Sequence, residues 1–408
     1  MGRLKHAPRE ILKPSPMTRR EWLSGVPLGL ALFDQNVDNV QIAVAAERTF
    51  GRELLRAMIA RQPRQNVFIS PLSIFLALRM AENGAAGATR TAMRKTLALP
   101  DVDAEVLNAS TAALAAGLKS RNAAALNIAN ALWADHRFTL APEYVKLCST
   151  LFCARASSLD FHDPRAAAEI NDWVKAETNG KIANIVTADA VAKAAVILTN
   201  AVYFAASWRT EFPPSQTQTA AFHLTGGGEK SVPMMHQARI TGAYRAGGNF
   251  EGALLQYKQS SIFLYALLPR EGKTPGEVLG SLDLEHLTAG PAEFDLDLKI
   301  PRFSLDFSAS LAEYLEKMGM GLAFRYPGAD FRPMGSGEFV ISDVIHKTRL
   351  EVDEKGTVAA AATAVTMTAA AMRQPRQAKT LVFDRPFAVL IGDSQSGALL
   401  FAGAIENP

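Results

Sequence analysis

The sequence predicts one large domain of the α+β class. No repeat, low-complexity spacer or Gly/Ser-rich linker divides residues 40–408. Helical periodicity and the β-rich apolar runs of buried strands intermix along this whole length. Hydrophobic residues make up 48% of the 408 residues and charged residues 20%, which is typical of a globular protein with a large core. We therefore expect a single unit rather than the two or three domains that the length alone suggests.

Helices are predicted where apolar residues recur three and four positions apart. Residues 45–62 show this spacing and predict an amphipathic helix. Residues 71–99 predict two helices separated by a glycine-containing break, and residues 309–320 predict a further helix that stops at Gly319.

Strands are predicted from continuous or alternating apolar runs. Residues 195–204 and 261–269 are continuous and β-rich, the pattern of strands buried on both faces. Residues 294–307 alternate and predict a pair of strands, and residues 387–393 and 398–408 predict a closing hairpin.

Composition excludes several classes of function. The net charge of +3, from 43 basic and 40 acidic residues, indicates no nucleic-acid or membrane partner. The seven histidines contain no HxH or HxxxH pair, and no nucleotide-binding glycine loop occurs, so we expect no metal site and no cofactor. Cys148 and Cys153 match no metal motif and are too few for a disulfide framework, so we expect a free buried pair.

The segment GDSQSG, residues 392–397, superficially resembles the nucleophile loop of trypsin-like proteases. A nucleophile at Ser394 or Ser396 would need a histidine base oriented by a carboxylate, and no histidine has the expected sequence context. Gly, Asp and Ser between two apolar runs are typical of a hairpin turn. We expect a turn here and no enzyme.

The N-terminal residues 1–38 are predicted to be either a basic tail or an export signal. The segment TRREWLSGVPLGLALF, residues 18–33, resembles a twin-arginine signal in having two arginines, an aromatic residue and a leucine before an apolar stretch. Its apolar part is short, and the first small-residue cleavage candidate is Ala43-Val44-Ala45. The resemblance favours an extracellular or periplasmic location, and a cytoplasmic one stays open.

The stretch Glu354–Gln374 fits no ordinary element. It carries 17 consecutive uncharged residues, eight of them alanine, between Lys355 and Arg373. Its β-branched residues weaken a helix, it is too short and weakly apolar to span a membrane, and it exceeds the usual length of a strand. The remaining interpretation is a long strand that is exposed in one state of the protein and enters a sheet in another. Small side chains on both faces would let it enter a formed sheet, because packed cores resist added volume.

From about Asn39 to Pro408 the chain resembles the serpin family, and we expect a bacterial member of the inhibitory type. The similar segments occur in the family's order. They are NVFISPLSIFLALRMAENGAAGATRTAM (66–93), EINDWVKAETNGKI (169–182), LTNAVYFAASW (198–208), MGMGLAF (318–324), ADFRPM (329–334), ISDVIHKTRLEVDEKGTVAAAATAV (341–365) and FDRPFAVLI (383–391).

The resemblance implies a single domain over residues 39–408, with three β-sheets, eight to nine helices and an exposed reactive-centre loop at about 355–380. It implies a metastable inhibitor that a serine protease cleaves as a suicide substrate. The acyl-enzyme would be trapped when the loop inserts into the main sheet, a switch that releases strain. We expect a monomer whose partner is that protease. A non-inhibitory serpin, merely cleaved as a substrate, is the alternative.

The resemblance also implies roles for individual residues. Ser70, Ser73, Asn200 and His346 match the shutter beneath the central strands, and Trp208 matches the breach where insertion begins. Thr348 and Arg349 depart from the family's usual alanine and aromatic residue. The hinge pattern matches Glu354, Gly356, Thr357, Val358, Ala359, Ala360, Ala361, Ala362 and Thr363, with Val358 replacing a common glutamate. Gly356 is expected to permit the bend where the loop leaves its strand.

The scissile bond is expected near the end of the loop. The usual hinge spacing from Glu354 places it between Ala370 and Ala371, which suits an elastase-like or subtilisin-like protease with a small pocket. Counting back from the RPF segment favours a later bond. Met372 would suit a chymotrypsin-like enzyme and Arg373 a trypsin-like one.

Overall fold

The computed structural model describes the backbone of residues 28–121, 125–241, 243–282, 294–357 and 378–408. Within these ranges it contains nine α-helices and three main β-sheets, together with short 3₁₀ turns. The α+β class predicted from the sequence is confirmed.

Most of the described helices lie in the first half of the chain. They are α1 (Leu28–Arg61), α2 (Pro71–Asn83), α3 (Gly87–Thr96), α4 (Ala104–Arg121), α5 (Pro142–Phe152), α6 (Ala166–Glu177), α7 (Ala188–Ala192), α8 (Pro275–Ser281) and α9 (Ala312–Leu315).

Eighteen strands are present in the described ranges. They are β1 (Val67–Ile69), β2 (Ala125–Asp135), β3 (Thr139–Leu140), β4 (Arg155–Leu159), β5 (Val196–Ser207), β6 (Gln218–His223), β7 (Glu229–Thr241), β8 (Tyr244–Ala246), β9 (Phe250–Gln256), β10 (Ile262–Pro269), β11 (Asp295–Pro301), β12 (Phe303–Ser310), β13 (Gly335–Ser336), β14 (Ile341–Val352), β15 (Gly356–Thr357), β16 (Ala378–Val382), β17 (Phe387–Asp393) and β18 (Leu399–Ile405).

The strands form three main sheets and one short ribbon. The central sheet has the order β12-β14-β15-β5-β2-β4, with an additional direct pairing of β14 with β5. A second six-stranded sheet has the order β1-β18-β17-β10-β9-β8, and a four-stranded sheet has the order β16-β11-β7-β6. The strands β13 and β3 form a separate two-stranded ribbon.

Helix α2 packs behind the central sheet and carries part of the candidate site. Ser70 is its N-cap and accepts a hydrogen bond from the Ser73 backbone N–H, while Pro71 occupies the first turn. Both features are typical of a helix start, because they satisfy or remove otherwise unpaired N–H groups. The break after Asn83 and the start of α3 at Gly87 confirm the helix–break–helix prediction for residues 71–99.

The prediction that residues 294–307 form a pair of strands is wrong. Strand β11 lies in the four-stranded sheet against β7 and β16, whereas β12 lies in the central sheet against β14. Only Arg302 separates the two strands, which leaves no room for a hairpin turn, and the chain instead passes from one sheet to the next.

Two helix boundaries also differ from the sequence prediction. Helix α1 begins at Leu28, well before the predicted residue 45. Helix α9 ends at Leu315 and gives way to an irregular turn in which Gly319 has a φ of 112°. None of the described helices is long and apolar enough to cross a membrane.

Candidate functional site

The central sheet has a seam where β14 and β5 run parallel and meet directly. The pairing extends from Ile341 opposite Val196 to Arg349 opposite Tyr203. Beyond that point the two strands part, and β15 lies between them. Thr357 pairs with Ala206 of β5 on one side and with Val352 of β14 on the other. The first residues of the predicted reactive-centre loop therefore already occupy the open end of the seam.

Gly356 is needed for a different reason from the one that the sequence suggested. Its φ does not lie in the left-handed region, so the bend itself does not require glycine. A Cβ at this position would instead fall on the carbonyl oxygen of Ala206 and lie 2.7 Å from the Cα of Ser207. Glycine thus allows β15 to approach β5 closely enough to pair with it.

The bend before β15 is formed by Asp353. Its Oδ1 accepts hydrogen bonds from the backbone N–H groups of Lys355 and Gly356, at 2.8 and 3.0 Å. The Asp353 N–H donates to the carbonyl of Gly356 at 2.9 Å. A side chain that satisfies the backbone locally in this way favours a tight turn.

An aromatic cluster receives the Thr357 side chain at the breach. Thr357 is fully buried, and its Oγ1 lies 2.6 Å from the Tyr257 hydroxyl. The Tyr257 ring stacks on Trp208 at a centroid distance of 4.6 Å, and Trp208 Nε1 donates to the carbonyl of Asp353 at 2.9 Å. Burial holds the pKa of Tyr257 far above its ordinary value, so its hydroxyl stays protonated and able to hydrogen-bond Thr357.

Glu354, at the start of the predicted hinge, is anchored rather than free. Its Oε1 accepts a hydrogen bond from Thr217 Oγ1 at 2.8 Å and lies 3.6 Å from the Arg302 guanidinium. Its carbonyl accepts the Phe212 N–H at 2.8 Å. These contacts fix the chain just before it enters the seam.

The four residues predicted as the shutter lie together behind the seam, and all are buried. His346 on β14 is in register with Asn200 on β5. Asn200 Oδ1 accepts a hydrogen bond from Ser73 Oγ at 2.9 Å and another from His346 Nδ1. The Ser70 N–H donates to His346 Nε2 at 3.1 Å. One network thus links the two strands of the seam to the start of α2.

The shutter requires His346 to be neutral. His346 Nε2 accepts a hydrogen bond from the Ser70 N–H, and His346 Nδ1 faces the side-chain oxygen of Asn200. The neutral ring therefore carries its proton on Nδ1. Complete burial lowers the pKa of His346 to about 3, and the hydrogen bond with Asn200 offsets only part of that effect.

A fifth shutter residue, Asn130 on β2, was missed from the sequence. It is buried and directly opposite Asn200 in the antiparallel pairing of β2 with β5. Asn200 Nδ2 donates to Asn130 Oδ1, and Asn130 Nδ2 donates to the Ser73 carbonyl at 3.4 Å. The available signal was an asparagine in the middle of a largely apolar strand, since a buried polar group needs a partner.

The two residues that depart from the family pattern, Thr348 and Arg349, differ in burial. Thr348 is buried, and its Oγ1 donates to the carbonyl of Phe68 on β1 at 2.8 Å, which ties β14 to the second sheet. Arg349 is on the accessible face, where its guanidinium contacts Glu351 at 2.5 Å and Asp306 at 3.2 Å.

The segment GDSQSG, residues 392–397, is a hairpin turn between β17 and β18. Ser396 Oγ donates to Asp393 at 2.6 Å, and Ser394 Oγ donates to the Ser261 carbonyl at 2.8 Å. Among the hydrogen bonds of the described residues, neither serine hydroxyl has a histidine partner.

Other predicted residues stand apart from the seam or outside the described ranges. Cys148 is buried and Cys153 exposed, so the expected buried pair is wrong for Cys153. Burial raises the pKa of Cys148 to about 12. The remaining residues predicted for the hinge and for the scissile bond lie outside the described residues. They are Val358, Ala359, Ala360, Ala361, Ala362, Thr363, Ala370, Ala371, Met372 and Arg373.

Comparison with known proteins decides the family. Residues 45–408 match the family model described as Serpin (serine protease inhibitor). The chain belongs to the serpin family. Serpins of this description are protease inhibitors rather than enzymes, in agreement with the sequence prediction. The predicted membership of the serpin family and the predicted serpin fold are confirmed.

Relatives of this serpin come from distant organisms. It is 37% identical over 353 residues to an uncharacterized serpin-like protein of Thermococcus kodakarensis, covering 84% of this chain and 81% of that protein. It is 31% identical over 380 residues to the human leukocyte elastase inhibitor, covering 89% and 99%. The native structure of the thermophilic serpin tengpin superposes with a TM-score of 0.81 at 29% identity, covering 90% and 94%.

Proposed function

We propose that this serpin inhibits a serine protease as a suicide substrate whose cleaved loop inserts into the central sheet. The observation that carries the proposal is the position of β15. Gly356 and Thr357 are paired in the open end of the seam, while the chain resumes at β16 in the four-stranded sheet. Residues 358–377 are therefore attached at both ends to different sheets. Cleavage within them would free the N-terminal part to follow Thr357 between β5 and β14.

The energetics favour insertion once the loop is cut. A strand of about 15 residues is roughly 50 Å long at 3.3 Å per residue. Insertion would break the parallel pairing of β14 with β5 and create two antiparallel pairings in its place, one on each side of the new strand. With about 1 kcal/mol net for each added hydrogen bond, the gain is on the order of 10 kcal/mol, comparable to the stability of a whole domain. That energy is sufficient to distort an acylated protease if insertion is faster than deacylation.

The hinge sequence meets the steric condition for entry. Alternate residues of a strand face the same side, so the buried side of Thr357 would also receive Ala359, Ala361 and Thr363. These side chains are small, and a packed interior accepts them with little rearrangement. A charged or bulky residue among them would oppose insertion. The absence of such residues favours inhibition over the alternative of a serpin that is cleaved without trapping its protease.

The scissile bond is proposed to be Ala370–Ala371, with the bonds after Met372 and Arg373 as alternatives. Alanine suits the small primary pocket of elastase-like and subtilisin-like enzymes. The similarity to a protein named leukocyte elastase inhibitor supports the same target class. A trypsin-like or chymotrypsin-like target would follow from cleavage at the later bonds.

Incubation with elastase, subtilisin, chymotrypsin and trypsin tests the proposal. The expected result is an SDS-resistant complex with at least one enzyme, together with a released C-terminal fragment whose first residue identifies the bond. The variant Thr357→Arg should be cleaved without forming the complex, and Thr380→Arg, on the exposed side of β16, should behave as the wild type. Clean cleavage of the wild type by every enzyme that cuts the loop, with no complex, would show that the protein is only a substrate.

We also propose that residues 1–38 direct export and that the inhibitor acts outside the cytoplasm. The twin-arginine pattern at Arg19 and Arg20 supports this location. Cleavage at Ala43-Val44-Ala45 would cut helix α1 where Ala43 and Val44 are buried, which favours a cut nearer the N-terminus. Fractionation of cells that express the full chain tests export. The protein should leave the cytoplasm, and replacing both arginines by lysine should retain it there.

A further inference from the structure

Two short turns meet at the end of the central sheet that lies opposite the breach. Strand β2 ends at Asp135, and strand β4 ends at Leu159, which is in register with Asp135 in a parallel pairing. The Asp135 N–H donates to the Ala195 carbonyl, just before β5 begins. Because parallel strands end at the same edge, the residues that follow them are brought side by side. The turns carry four side chains with metal-ligating atoms, named here the Asp–His cluster: Asp135, His136, Asp160 and His162.

The donor atoms of the Asp–His cluster converge. His136 Nδ1 lies 3.5 Å from Asp160 Oδ1 and 3.9 Å from Asp135 Oδ2. His162 Nδ1 lies 3.9 Å from Asp135 Oδ2 and 4.0 Å from Asp160 Oδ1. One ligand atom from each of Asp135, His136 and Asp160 falls within a mutual separation of 4.8 Å. Ligands at 2.0–2.2 Å around a tetrahedral ion would be about 3.4 Å apart, so these three atoms need only a modest contraction, and the exposed His162 side chain would have to turn towards them to complete a set of four.

The cluster combines one fixed ligand with three adjustable ones. The Asp135 side chain is fully buried, whereas those of His136, Asp160 and His162 are 54%, 54% and 62% exposed. Asp135 Oδ1 is held by Arg137, through the backbone N–H at 3.1 Å and through Nε. Asp135 Oδ2 accepts the Phe161 N–H at 3.2 Å and lies 3.9 Å from Nδ1 of each histidine. Such outer contacts orient a ligand before the ion arrives.

The second turn is also held in place. His162 donates its backbone N–H to Asp160 Oδ1 at 3.0 Å, and Phe161 between them is anchored in the core beside Trp133. The backbone N–H of His136 donates to the Leu159 carbonyl at 2.7 Å and joins the two turns directly.

We propose that the Asp–His cluster is a binding site for a divalent transition ion, best suited to Zn²⁺. Two imidazoles and two carboxylates form the mixed nitrogen and oxygen set that Zn²⁺ accepts, and the two carboxylates balance its charge. Ca²⁺ and Mg²⁺ favour oxygen ligands alone. The bound ion would join the ends of β2 and β4 at the edge of the central sheet, ahead of helix α6.

The test is Zn²⁺ binding to the full-length, tag-free protein by calorimetry at neutral pH. The wild type is expected to bind one ion per chain. The double variant His136→Ala/His162→Ala should lose more affinity than the roughly 10–100-fold that removal of an outer contact costs. The matched control is His223→Ala, because His223 is an exposed histidine 3.2 Å from Glu229 on β6 and β7. Its affinity should equal that of the wild type.

A second readout separates loss of the site from loss of the fold. Co²⁺ in a tetrahedral site gives intense visible absorption bands, which should appear with the wild type and be absent with the double variant. Unfolding of the metal-free double variant should match that of the metal-free wild type, while Zn²⁺ should raise the midpoint of the wild type only. The proposal is overturned if the wild type binds no Zn²⁺. It is equally overturned if the double variant binds Zn²⁺ as tightly or shows the same Co²⁺ bands.

Discussion

At the breach, β5 and β14 are separated by the two residues of β15, whereas at the shutter they pair directly, with His346 opposite Asn200. The breach is held by the Asp353 turn, in which Oδ1 accepts two backbone N–H groups, and by the hydrogen bonds of Thr357 with Tyr257 and of Trp208 with the Asp353 carbonyl. The shutter is held by a buried polar network that spans β14, β5, β2 and α2.

This contrast indicates where resistance to a new strand is concentrated. At the breach a strand already fits, so extending it as far as Arg349 and Tyr203, where direct pairing begins, adds hydrogen bonds without first removing any. At the shutter every donor and acceptor is out of water, and separating the strands leaves several of them unpaired at once. The proposed insertion would therefore start at the breach without difficulty, and its barrier would lie at the shutter.

The largest effect is expected for Asn200→Ala. This change removes the acceptor for Ser73 and His346 and the donor to Asn130, all of which are buried. Unpaired buried groups cost about 1–3 kcal/mol each, so the native state should lose roughly 2–5 kcal/mol in urea unfolding. The exposed Asn184→Ala is the matched control and should change little. A loss no greater than that of the control would contradict the assignment of resistance to the shutter.

Acid should weaken the shutter next most strongly. The pKa of His346 is about 3 in the folded protein against 6.5 for the free side chain, so below pH 6.5 the unfolded chain binds a proton that the folded chain does not. The contribution of His346 is complete above pH 6.5 and declines as pH falls towards 3, by about 1.4 kcal/mol per pH unit. Unfolding of the wild type and His346→Gln, compared from pH 7 to pH 4, isolates this group. Parallel pH dependences of the two proteins would refute the prediction.

At the breach, Gly356→Val should cost about 1–3 kcal/mol and displace β15 from β5, because its side chain would meet the Ala206 carbonyl and Ser207. If the proposed mechanism holds, the fraction of protein that traps protease should fall while cleavage continues. Gly248→Val is the control, since nothing lies within 4 Å of a Cβ built there. The measurement is the stoichiometry of inhibition, and equal stoichiometry for both variants would argue against a role for close approach at the breach.

The smallest effect is expected for Thr348→Val, which keeps the shape of the side chain and removes its hydrogen bond to the Phe68 carbonyl. About 1 kcal/mol should be lost in urea unfolding, and the seam should open more readily. Thr380→Val, at an exposed position of β16, should lose nothing. A Thr348→Val protein as stable as the wild type would mean that the bond between β14 and β1 contributes no net free energy.

The sequence indicated local elements and polar residues of the seam better than their pairings. The helix break before Gly87 and the strands 195–204 and 261–269 depend on neighbouring residues, and these predictions are confirmed. Asn130 and Tyr257 were missed because their partners are distant, with 70 positions between Asn130 and Asn200 and 100 between Tyr257 and Thr357. Alternation in residues 294–307 correctly indicated strands but could not show that they enter different sheets.

Trp208 gives this serpin a built-in optical reporter. Of the four tryptophans, Trp133 and Trp173 pack against each other elsewhere in the core, edge to face at 5.5 Å. Trp208 instead stacks on Tyr257 and donates to the Asp353 carbonyl in the turn that precedes β15. Any displacement of that turn would change both the ring stacking and the hydrogen bonding of its indole, and with them its emission. The time course of intrinsic emission after loop cleavage can thus follow events at the breach without an attached dye.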